Sequence, residues 1–187
     1  LFTSMIKLKE IIEELPEPDY KSKMIINNQS TNDIIKEISQ SNKLYSHQGQ
    51  YLEPYFKGSN NKIVNDIYDF MKYELTYEIE PDEQQTSRSP IRILFDNYDG
   101  IGIDCKGYAL LSAAILKAKG IPYKFRYVSY NALKPLHHVY TMAYINNEWV
   151  HIDPLQKSPD NYEKKYIFVK DVKPKNKNML VRMSGIG

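Results

Sequence analysis

Apolar residues change their spacing along the chain, and each change marks a different kind of segment. Near the start, Ile6, Leu8, Ile11, Ile12 and Leu15 recur at helical intervals and stop at Pro16 and Pro18. Ser30-Thr31-Asn32-Asp33 reads as a capping box before a second helix carrying Ile34, Ile35 and Ile38. Both helices are expected to pack on the main core. From Gln40 to Asn61 the composition turns to Ser, Asn, Gln, Gly and Tyr, which predicts a long surface connection or lid. A third helix is expected from about Lys62 to Tyr73, with Ile63, Ile67, Phe70 and Met71 on one stripe. Leu75 to Ile79 then alternates like a short strand, and Pro81 to Pro90 reads as a loop.

The next segment has a different character. Ala109, Leu110, Leu111, Ala113, Ala114, Ile115, Leu116 and Ala118 cover most of a helix circumference, so this helix is expected to be buried. Asp104 is a good N-cap for it, and Gly120-Ile121-Pro122 is a stop signal. Three strands are predicted after it: Lys124 to Tyr130, His138 to Ile145 and Glu148 to Asp153. Asn146-Asn147 suits a tight two-residue hairpin turn, because Asn tolerates positive φ. That loop length fixes the register: Ile145 faces Glu148, Tyr144 faces Trp149, Met142 faces His151 and Tyr140 faces Asp153. His138 then shares a face with Tyr140 and lies diagonal to Asp153, about 7 Å away between backbones. His137 points to the opposite face.

Composition bounds the setting. The chain has 187 residues, 42% of them apolar, enough for one sizeable core, and a single domain is expected over 1–187. Within it, 1–61 reads as an N-terminal helical elaboration and connection, 62–170 as the core and 171–187 as a basic tail. The formal net charge is only +2, which argues against specific nucleic-acid binding. From Gln156 onward there are eight Lys/Arg against three Asp/Glu, so the tail suits a solvated end or contact with an acidic partner. No stretch approaches the roughly 18 apolar residues of a membrane helix. A lone cysteine excludes an intrachain disulfide and, with no leader pattern at Leu1, favours a cytoplasmic setting; virion association is the other setting considered.

That cysteine, Cys105, falls on the first turn of the buried helix. There it meets unpaired backbone N–H groups and the positive end of the macrodipole, which favour a thiolate and can bind an oxyanion. With His138 as base and Asp153 orienting the imidazole, the chain holds the parts of a thiol nucleophile and its activating pair. A metal site at His138, His151 and Asp153 is disfavoured, because the two rings start about 13 Å apart along the strands. His151 is read as a structural or rim histidine. No metal and no cofactor is expected.

Asp104-Cys105-Lys106-Gly107-Tyr108-Ala109, Leu116 through Pro122, His138-Val139-Tyr140 and Trp149-Val150-His151-Ile152-Asp153-Pro154, with Ser89 to Asp99, together resemble the transglutaminase-like superfamily over about Leu75 to Leu155. The resemblance implies a papain-like α+β fold, a central helix packed on an antiparallel sheet with extra N-terminal helices. It implies Cys105 as nucleophile, His138 as base and then acid, and Asp153 as the group holding the imidazole. Val139-Tyr140 and Ile103 depart from the commoner Trp and Gly of the family, and are read as the mark of a small bacterial or phage type. The side-chain oxyanion donor is open, with Asn97 and Tyr98 as candidates. The expected activity is acyl transfer on peptide or protein amides through a thioester, with hydrolysis as a peptidase or amidase favoured. The alternatives are transamidation and a non-catalytic binding or assembly module.

Overall fold

A computed structural model describes residues 5–18, 23–25, 30–81, 85–133, 135–159 and 163–174. The late part of the basic tail, 175–187, lies outside the described residues. In chain order the elements are α1 (Leu8–Ile12), β1 (Lys23–Ile25), α2 (Thr31–Tyr45), α3 (Gly49–Leu52), α4 (Asn60–Tyr73), β2 (Thr86–Arg88), α5 (Pro90–Tyr98), α6 (Cys105–Ala118), β3 (Tyr123–Ser129), β4 (His138–Ile145), β5 (Glu148–Ile152) and β6 (Phe168–Val172).

The main sheet is antiparallel, in the order β5-β4-β3-β6. One face carries Tyr123, Phe125, Tyr127, Val139, Ala143 and Ile152 into the core that it shares with α6. Such burial is what an all-round apolar helix requires, and Lys106 through Leu116 are buried without a break. The Thr141 hydroxyl ties helix to sheet, donating to the Ala109 carbonyl and accepting from Ser112 Oγ, both at 2.9 Å. Asp104 caps α6 through its Oδ1, which accepts from the Gly107 amide at 3.1 Å. Gly120 closes the far end at φ 68°, a left-handed conformation that glycine adopts without strain.

The hairpin register is as read from the sequence: Ile145 pairs with Glu148, Tyr144 with Trp149 and Met142 with His151. Asn146 and Asn147 take positive φ, 51° and 65°. The capping box of α2 is also present, with Ser30 Oγ accepting from the Asp33 amide and the Ser30 amide donating to Asp33. Leu8 and Ile11 of α1 and Ile35 and Ile38 of α2 join the core.

Four expectations need correction. Gln40 to Asn61 is not a surface connection: α2 continues to Tyr45, and α3 follows between two short 3₁₀ turns, Ser46–Gln48 and Glu53–Tyr55. Its polar surface hides fully buried Leu52 and Phe56, and Gly49 lets α3 approach α6 so closely that a Cβ would sit 1.9 Å from the Ala114 carbonyl oxygen. Too few apolar positions on so short a helix repeat for periodicity to show. Leu75 to Ile79 forms one parallel bridge, Tyr77 to Ile103, in place of a strand. The Pro81–Pro90 loop includes β2, which pairs with β1. The expected basic tail begins inside β6, whose Asp171 and Val172 pair with β3.

Candidate active site

Cys105, His138 and Asp153 come from three different elements and converge at one end of the sheet. Cys105 opens α6, His138 opens β4, and Asp153 follows the last residue of β5. Because β4 and β5 are antiparallel, the start of one lies beside the end of the other, and α6 points its N-terminus at the same end. His138 Nε2 lies 2.8 Å from Asp153 Oδ2. Cys105 is partly buried, and its side chain, like Asp153, favours the protonated form of the same ring. With Nε2 committed to the carboxylate, Nδ1 is the nitrogen left for the sulfur.

The carboxylate is held from three directions. Besides His138, Gln156 Nε2 donates to Asp153 Oδ2 at 2.9 Å and the Leu155 amide donates to Oδ1 at 3.1 Å. Burial opposes its ionisation, yet these donors and the imidazole charge hold Asp153 below the usual carboxylate range. Burial likewise pushes His138 down. Its contacts with Asp153 and Cys105 outweigh that, and its pKa is raised from 6.5 to about 10. Its ring is flanked by Tyr130 and Tyr140, with centroids 6.0 and 5.6 Å away.

Beneath the cysteine lies a charged layer that sequence reasoning missed. Lys106 reaches back to Asp104 and Gln85 and lies 3.5 Å from Glu80. Arg88, only 4% exposed, meets Asp96 at 3.2 Å and Glu80 at 3.3 Å and donates to the Gly102 carbonyl at 2.9 Å. Burial pushes the Asp104 carboxyl up, partly offset by Lys106. These partners are scattered from residue 80 to 106, with no spacing to betray them.

Two tyrosines were missed as well. Tyr77 packs against Tyr108 at 5.7 Å, and burial raises its phenol, reinforced by the charges of Cys105, Asp104 and Asp153. Tyr127, on the α6 face of β3, is raised by burial and by Cys105, and its hydroxyl has no partner among the described residues. Neither earlier oxyanion candidate is placed for that role. Asn97 spends its amide on Thr76 N, Thr76 O and the Ile101 carbonyl, and Tyr98 projects from the exposed end of α5. His137 turns away to Ser129 and Pro135. His151 is buried on the far face of the sheet, and among the described residues no group of three or more His, Cys, Asp or Glu could hold a metal ion.

The family model of the transglutaminase-like superfamily matches residues 51–154, more than half of the chain. The chain belongs to the transglutaminase-like superfamily. Among solved structures, this transglutaminase-like chain is similar to a candidate cysteine protease from Cytophaga hutchinsonii, at 24% identity over 78% of this chain and 47% of that one, TM-score 0.45. It is similar to a candidate protease from Parabacteroides distasonis at 15% identity over 67% and 27% of the two chains, TM-score 0.46. LapG from Legionella pneumophila aligns at 21% identity over 65% and 71%, TM-score 0.43. The chain thus spans about half the length of the first of these proteins and about a quarter of the second. No curated protein matches it.

Proposed function

We propose that this chain is a thiol acyl-transfer enzyme in which Cys105 is the nucleophile, His138 the base and then acid, and Asp153 the group that orients and charges the imidazole. The observation that carries this reading is the position of His138, bonded to Asp153 through one nitrogen and engaged with the Cys105 side chain. An imidazolium beside the sulfur stabilises a thiolate, as does the α6 N-terminus. The thiolate attacks an amide carbonyl, the C–N bond breaks as His138 gives its proton to the leaving amine, and a thioester remains. Water, deprotonated by His138, then releases the acid. The Cys105 amide, which makes no hydrogen bond among the described residues, is one oxyanion donor, and the Tyr77 hydroxyl is the side-chain donor we assign. A peptide or protein is the substrate, and hydrolysis is the favoured outcome over transfer to an amine.

The test is chemical. Iodoacetamide should alkylate Cys105 rapidly near neutral pH, and His138→Ala should slow this at least tenfold. A folded protein whose thiol stays inert would reject the proposal and favour a binding or assembly module. Mass analysis of products formed with an added primary amine separates hydrolysis from transamidation, since only transfer leaves the amine on the acyl group.

A further inference from the structure

β5 runs into a turn that brings its fourth residue back beside its first. Asp153-Pro154-Leu155-Gln156 suits a β-turn, with Asp leading and the fixed φ of proline second, and the Gln156 amide donates to the Asp153 carbonyl at 2.9 Å. The Leu155 amide, folded inward by the same turn, donates to Asp153 Oδ1 at 3.1 Å. A carboxylate tied down through one oxygen can still swing the other. His138 meets that second oxygen at 2.8 Å, but His138 is the group that has to be oriented. Gln156 Nε2, donating to the same Oδ2 at 2.9 Å, is an anchor that does not depend on the ring.

An anchor works only if it is itself held, and Gln156 is held at both ends. Its Oε1 accepts from the Lys164 amide at 2.7 Å, which settles the end of the side-chain amide that faces Asp153. A flipped amide would set its NH2 group against that N–H and its oxygen against the carboxylate. The Gln156 backbone carbonyl accepts from Tyr68 Oη at 2.6 Å and from Lys72 Nζ at 3.0 Å, one donor for each lone pair. Tyr68 and Lys72 stand one turn apart on α4 and are joined to each other at 2.5 Å, and Tyr68 is only 3% exposed. Gln156 is thus fastened to a helix 84 to 88 residues earlier and to the segment that leads into β6. Its side-chain donor favours the ionised form of Asp153.

We propose that Gln156 is a positioning residue: tied to α4 and locked by the Lys164 amide, it aims Asp153 Oδ2 at His138 and so keeps the ring turned toward Cys105. The aiming stands on the geometry; that it serves acyl transfer rests on the function proposed above. The sign of one titration separates positioning from a passive contact. If Asp153 stays in place when Gln156 is lost, Oδ2 faces His138 with more of its charge uncompensated, and the ring binds its proton as tightly as before or tighter. If Gln156 aims the carboxylate, Oδ2 swings away and the ring gives up its proton more easily.

In the Cys105→Ala protein, Gln156→Met keeps a long side chain but removes the amide donor and acceptor. Followed by NMR, His138 should bind its proton at least about threefold more weakly than in Cys105→Ala alone, which is about half a pH unit on the titration curve. Tyr68→Phe, which removes one of the two donors on the Gln156 carbonyl, should move the titration the same way by less. With Cys105 present, iodoacetamide at pH 6, where the thiolate depends on its imidazolium partner, should react at least about threefold more slowly with Gln156→Met. A His138 titration that is unmoved or higher in Gln156→Met, or in Tyr68→Phe, would overturn the proposal whatever happens to the urea midpoint, since a merely structural contact gives that result. If Gln156→Met fails to fold, Tyr68→Phe decides by the same sign. An inert Cys105 in the parental protein would reject the proposed function and leave the titration to decide the positioning; an unmoved titration beside a reactive Cys105 would reject the positioning alone.

Discussion

Replacing Asp153 by Asn in a Cys105→Ala background isolates what the carboxylate does for His138. Three donors converge on Asp153, two on Oδ2 and one on Oδ1. Asparagine offers one acceptor oxygen and two donor hydrogens, so in either orientation at least one buried donor faces another. A group left unpaired in this way costs about 1–3 kcal/mol. Removing one half of a buried, charged pair costs about 3–5 kcal/mol. We therefore expect the double variant to be less stable than Cys105→Ala by about 3 kcal/mol at pH 6, measured by urea unfolding.

The titration of His138 gives a sharper number. A rise from 6.5 to about 10 corresponds to about 5 kcal/mol in favour of the imidazolium, at about 1.4 kcal/mol per tenfold, shared between Asp153 and Cys105. With Cys105 gone, the ring followed by NMR should titrate between 6.5 and 10; with Asp153 also neutralised, burial alone remains and it should titrate below 6.5. A raised folded-state pKa stabilises fully below the unfolded value and is lost as pH climbs through the folded one. The depressed Asp153 works in the opposite sense: its contribution is present above 3.8 and lost as pH falls through its folded-state value. The stability gap between Cys105→Ala and the double variant should therefore be widest between pH 3.8 and 6.5 and narrow toward 10. A gap that widens over that upper range, or a double variant whose His138 still titrates above 6.5, would refute the reasoning.

Other expectations concern the support around the site. Arg88→Met takes one buried cation from Asp96 and Glu80, which keep Arg92 and Lys106 respectively, and leaves the Gly102 carbonyl without its donor, so it should lower stability by about 1–3 kcal/mol in urea; a near-neutral result would show the buried charges to be slack. Gly49→Ala forces a methyl into the Ala114 carbonyl and should cost about 1–3 kcal/mol, seen as a lower Tm; an unchanged Tm would reject the close approach of α3 to α6. Tyr77→Phe should slow turnover by about 100-fold while Cys105 is alkylated at the parental rate, and equal losses in both would mean that the tyrosine positions the thiol instead.

Short-range physics was legible in the chain. Asp104 before an all-apolar run marked both the start of α6 and its burial, because capping and periodicity act within a turn or two. The Asn146-Asn147 pair fixed the β4–β5 register, since a two-residue turn leaves no freedom in pairing, and the register alone told His138 from His137. The third helix, α4, and the capping box of α2 were readable for the same reason.

What the chain did not disclose depends on contacts between distant segments. The polar stretch around Gly49 looked like a surface connection until α6 was seen packed against it. Arg88, Glu80, Asp96 and Lys106 carry no local pattern, because buried charges are matched through space. β6 lacked a signal because Ile167, Phe168 and Val169 are exposed, so the strand has no buried alternation to show. Sequence spacing could place His138 within reach of Asp153, since both belong to one hairpin. Only the docking of α6 on the sheet could bring Cys105 to that ring, because the approach of a helix to a strand is set by the packing of whole faces and not by the residues that meet.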